Sequence, residues 1–143
     1  MSSTSSLHAQ LARLEPIAFL VLRIVTGAMV FCHGAQKILG WFSTSAGPAP
    51  LSQIWVGGMI ELVGGALIAV GLFTRAAAFI LSGMMAVAYI QFHWKLQIAG
   101  AAFLPIVNKG ELAVVYCFLF LFVFARGAGA ASVDGLRSAP RTR

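Results

Sequence analysis

Residues 16–39, PIAFLVLRIVTGAMVFCHGAQKIL, decide the fold class of this chain. The stretch is apolar over more than the roughly 20 residues that an α-helix needs to cross about 30 Å of hydrocarbon. It is too long for the apolar core of a secretory signal, and the following GWFSTSAGP is a weak cleavage site. We therefore predict a retained membrane span at Pro16–Leu39.

The composition of the whole chain agrees with this span. Of 143 residues, 59% are hydrophobic and only 10% are charged, so a soluble domain of this length would lack polar surface. Further apolar segments occur at Leu51–Phe73, Ala76–Trp94 and Gly110–Ala125. Because lipid forces backbone groups to bond internally, helices are expected. The predicted fold is all-α, an integral membrane four-helix bundle.

The positive charges orient the predicted bundle. We divide the chain into a polar N-terminal tail at 1–15, whose first ten residues are expected to be disordered, a four-span membrane domain at 16–130 and a basic cytoplasmic tail at 131–143. Four spans put both termini on one face, and lysine and arginine accumulate on the cytoplasmic side of membranes. That face collects Arg13, Arg75, Arg126, Arg137, Arg141 and Arg143, against Lys37, Lys95 and Lys109 opposite. Both termini are therefore predicted to be cytoplasmic.

The net charge of +6 indicates membrane lipid as the partner of the basic residues. These residues flank spans and tails and form no stripe with interleaved aromatics, so no nucleic acid is expected. Between the third and fourth spans, residues 96–109 are apolar but too short to cross the membrane. They lie at the interface, re-enter the membrane or prolong the third helix before Pro105.

Polar residues inside the spans are the candidates for any chemistry. Each charge at the bilayer centre costs about 3 kcal/mol on insertion scales, so each needs a partner or a function. Around Glu61, four glycines share a helix face on which another helix can approach closely. Glu111 begins the fourth span. One face of the first helix holds Arg23, Thr26, Gly27, His33, Gly34 and Lys37, and one face of the third holds Ser82, Tyr89, His93 and Gln97.

Depths estimated from the rise per residue sort these side chains into two layers. Arg23 and Glu61 form an inner pair, either a structural ion pair or a proton relay. The outer layer contains His33, Lys37, His93 and Glu111. Lys37 either belongs to this site or extends to the outer headgroups.

Imidazole and ammonium groups can donate hydrogen bonds to the carbonyl oxygens of a quinone, and imidazoles can also transfer its protons. We name His33, Lys37, His93 and Glu111 as catalytic candidates, and Arg23, Glu61, Tyr89 and Trp94 as cofactor-binding candidates. Two histidines and a carboxylate could also hold a divalent metal, but no compact ligand motif supports one, and no metal is predicted. The sequence contains no haem, flavin or nucleotide motif.

Three stretches resemble the DoxX family of small four-helix bacterial membrane proteins: LRIVTGAMVFCHGAQKILGWF, GGMIELVGGALIAVGLFTRAAAFIL and NKGELAVVYCFLFLFVFARGAGAASVD. The elements HGxxK, GxxExxGG, GLxTRxAA and GELAxxY carry the resemblance. It implies a multi-pass protein of the bacterial inner membrane that is linked to redox work.

Together with the polar residues, this resemblance leads us to expect a membrane subunit of a redox system. The subunit would bind a quinone or another small hydrophobic redox ligand between its helices. Any catalysis would require a redox partner protein, and a homo- or hetero-oligomer fits this interpretation. The alternative is a non-catalytic membrane scaffold or assembly factor for a partner protein.

Overall fold

The computed structural model describes residues 2–129 and 131–138, and this part of the chain is helical and contains no strand. Arg141 and Arg143 of the predicted charge asymmetry lie outside the described residues. The helices are α1 (Ser2–Leu39), α2 (Gln53–Val70), α3 (Thr74–Ala88) with a π-helical continuation (Tyr89–Trp94), α4 (Pro105–Asn108), α5 (Glu111–Arg126) and α6 (Val133–Ser138).

Three helical segments are long and apolar enough to cross a membrane: His8–Leu39, Gln53–Val70 and Thr74–Trp94. They match the first three predicted spans. The helix α5 contains 16 residues and coincides with the segment predicted as the fourth span. The fourth crossing and the side on which the termini lie stay predictions.

The start of α1 corrects one expectation. We predicted a disordered start over residues 1–10 and a first span that begins at Pro16, but the helix already begins at Ser2, and Pro16 lies inside it. The segment contains Leu, Ala, Gln and Arg, which favour helix even where the composition is polar. Polarity alone was therefore a poor indicator of disorder.

The helix α1 ends at Leu39, and the next residue, Gly40, has a φ of 69°, a conformation that glycine commonly adopts after a helix.

Helices α1 and α2 pack with their backbones in contact at small residues. A Cβ atom on Gly27 would lie 2.6 Å from the Ala69 nitrogen, and one on Gly34 would lie 2.6 Å from the Leu62 Cα. A Cβ on Gly65 would lie 2.7 Å from the Gly27 carbonyl oxygen. Only glycine permits these approaches, as in other small-residue helix interfaces.

Helices α3 and α5 form a second pair. Ser82 Oγ donates a hydrogen bond of 2.8 Å to the Cys117 carbonyl oxygen, which fixes the register of the two helices. The core shared by all four long helices is apolar and contains Phe19, Val30, Ile68, Ala77, Ala78, Leu81, Met85, Tyr116, Phe120 and Val123.

The C-terminal segment 131–138 is packed against the turn between α2 and α3; we call this end of the bundle the tail end. Asp134 accepts hydrogen bonds from the backbone N–H groups of Phe73 (2.9 Å) and Thr74 (2.8 Å). Its own N–H donates to the Gly71 carbonyl oxygen at 2.9 Å. Asp134 thereby satisfies donors at the start of α3.

The opposite end, formed by residues 40–52 and 95–110, is the loop end. The third helix stops at Trp94 because Lys95 adopts a left-handed conformation with a φ of 55°. The expected option of a helix prolonged to Pro105 is therefore wrong. Residues 95–104 form turns, and α4 begins with Pro105 at its first position, where proline is favoured.

Candidate ligand site

A cavity of about 740 Å³ opens between α2, α3 and α5 and is bordered by the last turns of α1. This volume falls within the range of roughly 300–1,000 Å³ that is typical of small-molecule sites. The innermost wall is formed by Glu61, Met85, Ala113 and Tyr116, each less than a tenth exposed. The cavity therefore reaches from the surface into the core.

Apolar side chains surround the mouth of the cavity. On α2, Ile54 is 50% exposed and Val56 43%, and on α3, Phe79 is 61% exposed and Ile80 52%. These residues belong to helices that are long and apolar enough to cross a membrane. An apolar mouth on such helices is suited to molecules dissolved in lipid.

The only carboxylate that lines the cavity within the described residues belongs to Glu61, and it is paired with Lys37. Lys37 Nζ donates to Glu61 Oε1 at 2.7 Å and to Oε2 at 2.6 Å, with side-chain exposures of 36% for the lysine and 7% for the glutamate. The pair joins α1 to α2. The lysine keeps enough exposure to reach a bound molecule.

The expected Arg23–Glu61 pair is not formed. Arg23 lies at the tail end, where Nη2 donates to the Ala131 carbonyl oxygen at 2.6 Å and the guanidinium packs against Gly71. Its electrostatic partner is Asp134. Our depth estimate placed Arg23 too deep because it started the first span at Pro16, whereas Arg23 is level with the turn at Gly71.

His33 and His93 both line the cavity. His93 Nδ1 lies 3.3 Å from the Asn108 carbonyl oxygen, which can only accept, so Nδ1 carries the proton. In the neutral ring Nε2 is then an acceptor. His33 is half-buried, and no hydrogen-bond partner for its ring occurs within residues 8–129 and 131–138.

Tyr116 was not among the predicted site residues. It lines the cavity at 4% exposure, and its hydroxyl has no hydrogen-bond partner in the described part of the chain. The signal in the sequence was the helical position: Tyr116 shares the buried face of α5 with Ala113, Phe120 and Val123. A hydroxyl on an otherwise apolar buried face is a candidate for a ligand contact.

The other predicted site residues do not line the cavity. Glu111 is exposed at the start of α5. The Tyr89 hydroxyl donates to the Phe103 carbonyl oxygen, and Trp94 Nε1 donates to the Gln97 carbonyl oxygen at 2.9 Å. Both aromatic residues thus organise the loop end.

Within residues 2–129 and 131–138, no three His, Cys, Asp or Glu side chains are grouped as metal ligands.

Comparison with known proteins gives two matches. The sequence profile of the DoxX family matches residues 18–94, which run from α1 to the end of the π-helical segment. A Haemophilus influenzae protein, described as uncharacterized, is 42% identical over 127 residues, covering 87% of this chain and 93% of that protein. No solved structure matches the chain.

Proposed function

The chain belongs to the DoxX family of membrane proteins, and from this we propose that it binds a small hydrophobic redox molecule of the quinone type. The binding site is the cavity between α2, α3 and α5. The protein acts as the membrane subunit of an oxidoreductase system. It works in a bacterial inner membrane, with four crossings and both termini in the cytoplasm.

One observation carries this proposal: the cavity combines an apolar mouth toward the membrane with a polar interior. Exposed Ile54 and Phe79 stand at the entrance, while the Lys37–Glu61 pair lies at the interior. A lipid-soluble molecule with polar atoms on its ring matches this arrangement, because its apolar part can pass the entrance and its polar atoms can contact the ion pair. A soluble, highly charged substrate would have to cross the apolar mouth at a large desolvation cost.

The residues present fit a quinone. The carbonyl oxygens of a quinone need hydrogen-bond donors, which Lys37 and His33 supply; the His33 ring has no partner in the part of the chain that the structure describes. His93 Nε2 can take up or release a proton, because Nδ1 is held by the Asn108 carbonyl oxygen. A bound quinone would supply two-electron chemistry. The chain contributes binding and proton handling, and a partner protein contributes the electron carrier.

Extraction and titration test the proposal. Lipid-soluble compounds are extracted from the protein purified in mild detergent, and a decyl-substituted 1,4-benzoquinone is titrated against wild type, His33→Ala and His93→Ala. Each lost hydrogen bond should weaken binding by about 1–3 kcal/mol while the folded yield stays near wild type. Glu111→Ala is the matched control, because this exposed residue does not line the cavity and the variant should bind the benzoquinone normally.

A scaffold or assembly factor gives the opposite pattern. In that case no compound is retained, the benzoquinone does not bind, and the histidine variants alter folded yield or the capture of a partner protein. Unchanged benzoquinone affinity in both histidine variants would likewise reject the site.

A further inference from the structure

The hydroxyl of Tyr116 is a polar group whose partner is absent from the described chain. The side chain is 4% exposed, and its oxygen makes no hydrogen bond. Buried hydroxyl groups without a partner are uncommon in folded proteins because the lost hydration is not replaced. Since Tyr116 lines the cavity, a molecule in the cavity can supply the missing partner.

The Tyr116 ring is held in place, so its hydroxyl cannot easily turn toward another group. It stacks on Phe120 with ring centroids 5.7 Å apart and an interplanar angle of 14°. The neighbouring Cys117 carbonyl accepts the hydrogen bond from Ser82 Oγ, which fixes this turn of α5 against α3. A preorganised donor loses little conformational entropy when a ligand binds.

Tyr116 and His33 lie at the same depth of the cavity, on α5 and on α1. A Cβ on Gly34 would lie 2.6 Å from the Leu62 Cα, and one on Gly64 would lie 3.0 Å from the Leu81 Cγ, so His33 is level with Glu61 and with the turn of α3 that follows Ser82. The hydrogen bond from Ser82 to the Cys117 carbonyl oxygen places Tyr116 at the same turn. His93 is eleven residues beyond Ser82, which at about 1.5 Å per residue is about 16 Å nearer the loop end, so it lies beyond this pair of side chains.

We propose that Tyr116 forms the second polar contact of the bound molecule, and this inference rests on the proposed function. The ligand then carries hydrogen-bonding oxygen atoms on two opposite edges of its ring. One oxygen faces His33 and Lys37, and the other accepts a hydrogen bond from the Tyr116 hydroxyl. A lipid with a single polar head would leave one of these two groups unpaired.

Two probes and two variants test this assignment in the full-length protein. The probes are a decyl-substituted 1,4-benzoquinone, which has two ring oxygens, and a decyl-substituted cyclohexenone, which has one. Tyr116→Phe removes only the hydroxyl. Ser132→Ala is the matched control, because this buried hydroxyl is paired with the Gly129 carbonyl oxygen and lies at the tail end, outside the cavity lining.

We expect Tyr116→Phe to weaken benzoquinone binding about tenfold. The same change should alter cyclohexenone binding by less than about twofold. Without ligand, the melting temperature of Tyr116→Phe should equal that of wild type or exceed it by about 3 °C, because an unpaired buried hydroxyl has been removed. Ser132→Ala should do the reverse, lowering the melting temperature and leaving both affinities unchanged.

The failures of the two proposals are distinguishable. If the benzoquinone binds and His33→Ala weakens it, but Tyr116→Phe does not, the Tyr116 assignment is wrong and the proposed function stands. A clear fall in the melting temperature of ligand-free Tyr116→Phe would also overturn the assignment, since the hydroxyl would then have a protein partner. Wild-type protein that binds neither probe overturns both.

Discussion

Lys37 and Glu61 explain why a charge of each sign occurs inside predicted membrane spans. The lysine donates to both carboxylate oxygens, and the glutamate is 7% exposed, so neither charge is left alone in a low-dielectric environment. Both residues also line the cavity. The pair therefore joins two helices and places a cation beside the cavity in which we propose that a ligand binds.

Removing one member of this pair should destabilise the protein. Glu61→Ala leaves the Lys37 ammonium without its partner, and we expect a loss of about 2 kcal/mol, less than for a fully buried pair because Lys37 is 36% exposed. The double variant Glu61→Ala with Lys37→Met should recover most of that loss. Thermal melting of Glu61→Ala, Lys37→Met and the double variant in detergent gives the three losses, and strictly additive losses would show that the two side chains are not coupled.

Asp134 should make stability depend on pH. Burial would raise the pKa of its carboxyl, but hydrogen bonds from Thr74 and Phe73 and the charge of Arg137 hold the pKa below its ordinary value of 3.8. A lowered folded-state pKa means that the stabilisation is complete above about pH 4 and is lost as the pH falls through the folded value. Asp134→Asn removes this contribution.

Melting temperatures of wild type and Asp134→Asn between pH 7 and pH 3 provide the measurement. The difference between the two proteins should be largest at neutral pH and should shrink below about pH 4. A difference that stays constant over the whole range would contradict the assigned role of the carboxylate.

At the level of residues, the sequence predicted which side chains line the cavity better than it predicted which side chains pair with each other. His33, Lys37, His93 and Glu61 were all predicted site residues, and the structure brings them to one cavity. Glu61 was given the wrong partner, because residue spacing does not reveal where a helix enters the membrane. Tyr116 was missed because a lone tyrosine on a buried face looks like core until its unpaired hydroxyl is seen.

At the level of helices, the pairing of α1 with α2 depends on glycine. The sequence predicted the glycine groove around Glu61, since small residues at helical spacing lie on one face. The sequence did not distinguish the glycines that touch the backbone of another helix from those that do not. A Cβ on Gly34 of α1 would lie 2.6 Å from the Leu62 Cα, whereas a Cβ on Gly57 of α2 would meet nothing within 4 Å. The start of α1 was also missed, because a polar segment can still be helical.

These two glycines form a matched test. Gly34→Ala forces a methyl group against Leu62 and should destabilise the protein by about 3 kcal/mol or more, because the two backbones must separate. Gly57→Ala, at an open position, should be neutral or stabilising by up to about 1 kcal/mol through helix propensity. Equal losses in thermal melting of the two variants would refute close backbone packing as the basis of the α1–α2 interface.

At the level of the whole molecule, the basic residues give an orientation that a reporter can check. The arginine asymmetry and four proposed crossings place both termini in the cytoplasm. A reporter active only in the periplasm should be silent after Arg143 and active in the loop 43–50. The reverse result would put the histidine end of the cavity on the cytoplasmic side.

The central claim is that lipid-soluble molecules enter between α2 and α3 and stop at the polar interior. Photocrosslinking in isolated membranes with a photoreactive decyl-benzoquinone tests it most directly, with labelled peptides identified by mass spectrometry. We expect labelling of residues 54–61 and 79–88, suppressed by excess unlabelled decyl-benzoquinone. Labelling spread evenly over lipid-facing positions such as Val21 and Phe118, without competition, would contradict the cavity as the binding site.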